Sequence, residues 1–191
     1  MATFEEQVEG LTSLAIDGSS SPTQDELTQF LKDGVIDVTN RWLAVKPQDI
    51  PLFTRSSSES TSQGGLSNSD GNVISVVRET GTDGDWRACS AGSIALQSRY
   101  TDTDSLHFSS KYNPKYAIGG DGSILIFPVP AGSNNAYKVY YVNSAPVNSS
   151  DATLVYSHSD INYFPLDKVY LVVIYASMQT LMARMTSLNS S

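Results

Sequence analysis

The residues with the clearest potential for chemistry are the two histidines and their neighbours. The segment Ser157–Asp160 contains a hydroxyl, the imidazole of His158 and a carboxylate, which are the residue types of a nucleophile, its base and an orienting group. Side chains this close in one short stretch do not face one another as a catalytic triad requires. The second imidazole, His107, lies between Leu106 and Phe108, where the pattern predicts a strand. We therefore expect no catalytic residue, no cofactor and no enzymatic activity.

This chain has few of the residues that usually bind metal ions. One cysteine, Cys89, and two histidines are too few for a conventional zinc site, and one cysteine forms no intramolecular disulfide. Asp102 and Asp104 alternate as calcium ligands can, but the characteristic glycine and the distant glutamate of an EF-hand are missing. We interpret these two aspartates as a solvated turn and expect no metal site.

Glycines and tyrosines in the second half of the chain suggest two binding hypotheses. The glycine-rich run 119–122 precedes a predicted strand instead of following one, so it indicates a hairpin turn and not a phosphate-binding loop. Tyr137, Tyr140 and Tyr141 flank Lys138 in another predicted strand. Such tyrosines form protein interfaces, pack in cores, or stack on sugars and bases. We expect a contact with another protein, with core packing and a sugar or nucleic-acid platform as alternatives.

Length and charge exclude several classes of function. The chain has 191 residues, which suits one domain with a sizeable insertion. Its 12 basic and 20 acidic side chains give a net charge of -8, which opposes binding to nucleic-acid phosphates or anionic lipids. The N-terminus carries acids where an export signal would be basic, and the longest apolar run, 169–176, is too short to span a membrane. We expect no membrane association.

Two amphipathic helices are predicted near the N-terminus. Thr3 and Glu6 form a capping-box pattern, after which apolar residues recur at helical spacing. Ser21 is the expected N-cap of the second helix and Pro22 its first-turn proline, and the helix is predicted over 24–44. The apolar stripe of that helix consists of Leu27, Leu31, Val35, Val38 and Trp42. The stripe continues past Gly34, which marks either a close helix contact or a weak point of about 1 kcal/mol against alanine.

The middle of the chain predicts β structure behind a polar segment. Residues 56–72 are rich in Ser, Gly and Asn, and we interpret them as an exposed, mobile loop. The β-branched run 73–77 and the stretch 87–90 flank a Gly-Thr-Asp-Gly turn, which predicts a hairpin. The strongest strand signals are 123–130 and 136–142, which we interpret as a second hairpin. The two prolines in the former predict an edge strand or an early end.

A long apolar helix is predicted at the C-terminus, from Leu166 to Leu188 after Pro165. Its length favours a helix over a strand. A helix that is apolar on nearly every face is surrounded by other elements, so it should pack against the N-terminal helices and against the sheet or a neighbouring subunit. Its expected interface residues are Val169, Leu171, Val172, Ile174 and Met178.

These elements predict an α+β fold. The N-terminal helix pair and the long C-terminal helix form a helical bundle from residues 1–46 and 161–191. An antiparallel β-rich insertion occupies residues 47–160. The bundle residues are the expected sites of self-association, because they carry the apolar stripes.

Two helical segments resemble the head-to-tail connector proteins of tailed bacteriophages, the adaptor or tail tubular protein A-like family. One is residues 25–41, DELTQFLKDGVIDVTNR. The other is residues 163–177, YFPLDKVYLVVIYAS, in which a Phe-Pro start precedes an apolar helix. A β-rich portion lies between them, so the likeness covers most of the chain by order of elements.

The resemblance implies a virion structural protein of the phage neck, without an active site and made in the host cytoplasm. It implies a homo-oligomeric ring, twelvefold in the family, docked beneath the portal protein. The β-rich portion would meet tail tube or nozzle/hub proteins, and genomic DNA would pass through without sequence-specific binding. A tail, collar or capsid-decoration protein is the alternative, followed by a carbohydrate-binding or receptor-binding module.

Overall fold

The computed structural model of the chain describes residues 2–68, 71–143 and 145–189, with the side chain at 143 excepted. It has a mixed α/β composition with mostly antiparallel strand pairs and a long C-terminal helix, which confirms this coarse part of the predicted fold. The described residues form two compact units. One comprises 2–53 and 145–189 and carries the long helices, and the other comprises 54–143 and carries the strands.

The first unit contains three α-helices: α1 (Phe4–Thr12), α2 (Gln24–Val45) and α4 (Val169–Asn189). Short 3₁₀ turns follow α2 at Pro47–Phe53 and precede α4 at Leu166–Lys168. The predicted capping box of α1 is present, because the Glu6 N–H donates to Thr3 Oγ1 at 3.2 Å and the Thr3 N–H donates to Glu6 Oε2 at 2.9 Å. The C-terminal segment is a helix and not a strand, as its length predicted.

The start of α2 differs from the prediction. Thr23, and not Ser21, is the N-cap, and the helix begins at Gln24. The Thr23 N–H donates to Glu26 Oε2 at 2.7 Å, and the Glu26 N–H donates to Thr23 Oγ1 at 3.3 Å. Thr23 and Glu26 are three residues apart, so they form a complete capping box that satisfies two backbone donors.

The segment 145–160 belongs to the helical unit. The α1 amide of Phe4 donates to the His158 carbonyl at 2.8 Å, and the Tyr156 amide donates to Thr28 Oγ1 of α2 at 3.1 Å. Phe53 and Phe164 meet edge to face with ring centroids 5.4 Å apart. The units therefore divide near residues 53 and 144, whereas the sequence-based division was drawn at 46 and 160.

Gly34 marks a close contact between α2 and α4, one of the two readings of the sequence. A Cβ at this position would lie 3.0 Å from Tyr175 Cδ1 and 3.3 Å from Val172 Cγ1. The α2 backbone therefore lies against the Tyr175 ring, and a larger residue at position 34 requires the Tyr175 and Val172 side chains to shift.

Gly34→Ala should therefore stabilise the chain less than helix propensity alone predicts. Alanine in place of a helical glycine contributes up to about 1 kcal/mol. Gly10 in α1 has no atom within 4 Å of an added Cβ, so Gly10→Ala should receive that stabilisation in full. Urea unfolding should place Gly34→Ala at least about 1 kcal/mol below Gly10→Ala, because crowding at Tyr175 offsets the propensity. Equal stabilisation by both variants would contradict this close contact.

The second unit consists of two small sheets and a short helix, α3 (Gln97–Thr101). The strands are β1 (Thr54–Ser56), β2 (Gly71–Glu79), β3 (Trp86–Ala88), β4 (Ser90–Ala91), β5 (Lys115–Ile118), β6 (Ile124–Phe127) and β7 (Tyr137–Asn143). One sheet has the order β1-β7-β2-β3 and is antiparallel throughout. The other has the order β4-β5-β6, with β4 parallel to β5 and β5 antiparallel to β6.

The predicted hairpin of β2 and β3 is confirmed, and so is the turn of residues 119–122, which joins β5 to β6. The strand β6 ends at Phe127, before the first proline, and lies at the edge of its sheet as predicted. The expected pairing of 123–130 with 136–142 is wrong. The strand β7 pairs with β1 and β2 in the other sheet, because residues 128–136 carry the chain from one sheet to the other.

The polar segment 56–68 is more ordered by contacts than its composition suggested. The Ile124 amide of β6 donates to the Leu66 carbonyl at 2.9 Å, and the Ile126 amide donates to Gln63 Oε1 at 3.0 Å. Leu66 packs against the core of the unit. The segment therefore satisfies the free edge of β6, and residues 69–70 of the predicted loop lie outside the described part of the chain.

A buried guanidinium braces the crossing between the two sheets. Arg78 on β2 has 3% of its surface exposed. Its Nε donates to the Pro128 carbonyl at 3.1 Å, its Nη1 donates to the Glu79 carbonyl, 2.6 Å away, and its Nη2 donates to Asn135 Oδ1 at 3.3 Å. Burial lowers the pKa of Arg78 from its ordinary value because it disfavours the charged form. The hydrogen bonds of Arg78 thereby fix both ends of the segment 128–136.

Candidate interaction surface

The helix α4 has two apolar faces, of which one is covered within the chain. Val172, Val173, Ala176 and Thr180 are buried on the covered face. The second face is open: Ile174 is 45% exposed, Met178 53% and Met185 64%. The sequence predicted a helix surrounded on all sides, whereas the part of the chain that the structure describes covers one of its two apolar faces.

Part of the open face forms one wall of a groove between α2 and α4. The groove has a volume of ≈ 570 Å³. Its apolar lining consists of Val38, Trp42 and Val45 from α2 and Leu171, Ile174, Tyr175 and Met178 from α4. Asp37 and Arg41 lie at its rim and form an ion pair with Arg41 Nε 2.8 Å from Asp37 Oδ2. Apolar concave surface of this size is typical of a binding site for an apolar partner.

Trp42 is held firmly at one end of the groove. Its Nε1–H donates to Asp49 Oδ2 at 2.8 Å. The ammonium groups of Lys46 and Lys168 lie 4.9 Å and 4.5 Å from its ring centroid. Because both cations are attracted to the indole ring, the Trp42 wall is fixed before any partner arrives.

The interface residues predicted from the sequence fall into two groups. Leu27, Leu31, Val35 and Val172 are buried inside the helical unit. Val38, Trp42, Leu171, Ile174 and Met178 line the open groove, and Val169 is half-buried. The predicted set therefore contains both the internal packing of the helices and a surface that remains available.

Four further residues of the open face were absent from that set: Leu181, Met182, Met185 and Leu188, all of them exposed. Their signal is present in the sequence. Leu171, Ile174, Met178, Leu181, Met185 and Leu188 follow one another at steps of three, four, three, four and three residues. That spacing is typical of the contact positions of a coiled coil, and none of these residues belongs to the buried face.

The tyrosines expected to meet another protein lie mainly in the core. Tyr137 is fully buried, and its hydroxyl accepts from the Leu66 amide at 3.0 Å. Tyr141 is buried as well, and Tyr140 is half-buried. Tyr137 and Tyr141 pack with Val76, Ile124, Ile126 and Val139 from both sheets. Of the three, only Tyr140 keeps appreciable surface for a partner in this conformation.

His158 is engaged with the backbone of its own loop. The Val155 amide donates to His158 Nδ1 at 3.3 Å, and Nε2 lies 3.3 Å from Nδ2 of Asn148. Asp160 Oδ2 accepts from the Ser149 amide at 2.6 Å instead of contacting the imidazole. The three residue types of a triad are therefore present in this segment, but they are engaged separately.

His107 lies in a turn and not in the strand that the sequence predicted. It lines an open depression together with Arg99, Asp102, Ser105 and Leu106. Ser105 Oγ accepts from the backbone N–H of His107 at 3.1 Å, and Asp102 Oδ1 accepts from the Asp104 amide at 3.0 Å. Within the part of the chain that the structure describes, no hydrogen bond joins the His107 ring to either side chain.

The other reactive groups occupy structural positions. Burial raises the pKa of the Cys89 thiol to about 12, with the Arg78 charge opposing the shift, so the thiol stays protonated at neutral pH. Asp121 accepts from the Ser123 hydroxyl at 2.7 Å, and this bond lowers the pKa of its carboxyl. Among the described residues, no three His, Cys, Asp or Glu side chains converge as a metal site would require.

Comparison with protein families and curated proteins gives no assignment for this surface. No protein-family model matches the chain, and no curated protein has a significantly similar sequence. Within the described ranges, no helix combines the length and the apolarity needed to cross a membrane. The open groove and the apolar face of α4 thus remain the strongest functional features of the molecule.

Proposed function

We propose that this chain is a structural protein of the phage virion, a head-to-tail adaptor of the neck. In this proposal α1, α2 and α4 form a helical bundle whose open side joins neighbouring copies into a ring. The portal protein lies above the ring, and tail tube or nozzle/hub proteins meet the β-rich unit below it. The chain has no catalytic role in the virion.

The open apolar face of α4 is the observation that carries this proposal. Its half-exposed side chains and the adjoining groove form a continuous apolar surface on a chain that is otherwise strongly acidic. A monomer gains stability when such a surface is covered, and a closed ring covers it on every copy. The resemblance of residues 25–41 and 163–177 to the adaptor family supports the same role.

The net charge is compatible with a DNA conduit. With a charge of -8 for each copy, a twelvefold ring carries 12 × -8 = -96. Phosphates are repelled by such a ring, so the genome can pass without sticking. No sequence-specific contact with DNA belongs to this proposal.

Electron microscopy of the purified chain mixed with the portal protein of the same phage tests the proposal. We expect a ring of copies bound beneath the portal. Decoration of capsid shells or of tails would instead assign the chain to another virion position. Absence of binding to portal, shell and tail would overturn the virion role.

A carbohydrate-binding module is less well supported. Such a module needs exposed aromatic rings on the sheet, whereas Tyr137 and Tyr141 are buried. The ammonium group of Lys138 lies 4.3 Å from the centroid of the Trp86 ring and covers part of one face of that ring.

A further inference from the structure

The open face of α4 has the spacing of a coiled-coil contact, which we name the α4 seam. It consists of Leu171, Ile174, Met178, Leu181, Met185 and Leu188. The last five are between two-fifths and two-thirds exposed, and Leu171 is half-buried and lines the groove. A seam of nearly three heptads that the described residues leave exposed fits another helix with the same spacing.

We propose that the occupant is a second copy of this chain, whose α4 seam packs antiparallel against the first in a two-fold pair. In this arrangement Leu171 packs on Leu188, Ile174 on Met185 and Met178 on Leu181, each in both directions. These three pairs are symmetric about the same midpoint of the seam. One antiparallel alignment therefore brings all six side chains against partners of the opposite copy. The contact is self-complementary, as a two-fold interface requires.

The position of the groove favours the antiparallel direction. The groove adjoins the first half of the seam, where α2 contributes Val38, Trp42 and Val45. The second half of the seam, with Leu181, Met185 and Leu188, extends beyond the groove lining. Antiparallel pairing places the projecting half of each copy over the groove of the other, so both grooves are filled. Parallel pairing would place groove against groove and leave both of them open.

Charge supports a second copy as the partner. The chain carries a net charge of -8, so two copies repel one another over most of their surfaces. Arg184 is the single charged residue among the 21 of α4, which makes this helix the surface where two copies approach without repulsion. Antiparallel pairing separates the two Arg184 side chains along the axis, whereas parallel pairing would place them side by side.

The available surface approaches the size of a specific contact. The six seam side chains, most of them about half exposed, offer on the order of 600 Å² per copy, and the groove wall of α2 adds to this, which approaches the ~800 Å² per partner of standard interfaces. Leucine, isoleucine and methionine in alternating layers match the apolar core of such interfaces.

This pairing goes beyond the adaptor proposal. A two-fold contact joins two copies and then stops, so it is not the contact that closes a ring. The two-fold contact uses the same surface as the contact between ring neighbours. It is the proposed state of the chain before a portal is present. The two proposals therefore have separate tests.

Disulfide trapping tests the pairing and its direction. Two single variants, Ile174→Cys and Met185→Cys, are prepared with tags of different size and oxidised separately and as a mixture. In the antiparallel pair position 174 faces position 185 of the other copy, so a cross-linked heterodimer should form in the mixture. Each variant alone should stay uncrosslinked, because identical positions lie 11 residues apart along the axis, about 16 Å, beyond the ~7 Å reach of a disulfide. The unmodified chain is the control, since its Cys89 is buried.

Sedimentation of the unmodified chain completes the test, with a dimer mass as the expected result. A monomer at all concentrations would overturn the proposal. Self-cross-linking of Ile174→Cys would also overturn it, because that result indicates a parallel pair. A discrete larger ring without the mixed cross-link would overturn the pairing while supporting the adaptor proposal. A mixed cross-link without portal binding would support the pairing and count against the adaptor.

Discussion

Replacing Ile174 with aspartate should weaken self-association at least about a hundredfold while the chain stays folded. Ile174 lies at the middle of the groove wall and is 45% exposed, so the new carboxylate is solvated in the single chain. In any assembly that covers the α4 seam it becomes a buried, unpaired charge, which destabilises by several kcal/mol. Each 1.4 kcal/mol corresponds to a factor of ten in the dissociation constant. Analytical ultracentrifugation over a concentration series measures the change.

Thr186→Asp is the matched control for this substitution. Thr186 is exposed on the same helix but outside the seam, so its carboxylate should change the dissociation constant little. Circular dichroism should show native helix content in both variants. Unchanged self-association of Ile174→Asp would mean that the seam is not the contact, and the assignment of α4 to self-association would fall with it.

Replacing Arg78 with alanine should destabilise the fold by about 3–5 kcal/mol. The substitution removes three hydrogen bonds from a nearly fully buried guanidinium and leaves the Pro128 carbonyl and the Asn135 amide oxygen without their donor. Removal of one partner of a buried charged network has effects of this size, because the remaining polar groups stay desolvated. Urea unfolding followed by circular dichroism measures the loss.

The chain contains a matched control for this variant. Arg87 on β3 is the register partner of Arg78 on β2, but its side chain is half exposed and pairs with Asp85 at 3.2 Å. An exposed ion pair contributes at most about 1 kcal/mol, so Arg87→Ala should change the free energy of unfolding little. If both variants lost the same amount of stability, the buried hydrogen bonds of Arg78 would not be what braces the two sheets.

Local features of the fold could be predicted because their causes lie within a few residues. The capping box of α1 depends on side chains three positions apart, and the hairpin of β2 and β3 depends on its own turn. The length and unbroken apolarity of α4 were enough to identify a helix. The prediction of the α2 N-cap was wrong because two capping patterns overlap, one that begins at Ser21 and one that begins at Thr23.

Features that depend on distant partners could not be predicted in the same way. Nothing near residue 137 indicates that β7 joins β1 and β2 instead of the preceding β6, because strand pairing depends on the whole unit. The same holds for Tyr137, whose hydroxyl finds its partner at Leu66. To predict the groove, one would need to know how the stripe of α2 lies relative to the open face of α4. The packing at Gly34 that relates the two helices is a tertiary contact.

Among the described residues, one of the two apolar faces of α4 is covered and the other is open, and this has a consequence for the concentration of unpaired chain. If copies store their seams in pairs, the unpaired chain that is free to join a ring rises only as the square root of the total concentration. Growing rings would then draw on a reservoir that dampens premature polymerisation while protein accumulates in the cell. A nucleating surface that binds single copies would shift the equilibrium away from the pairs and so complete the ring.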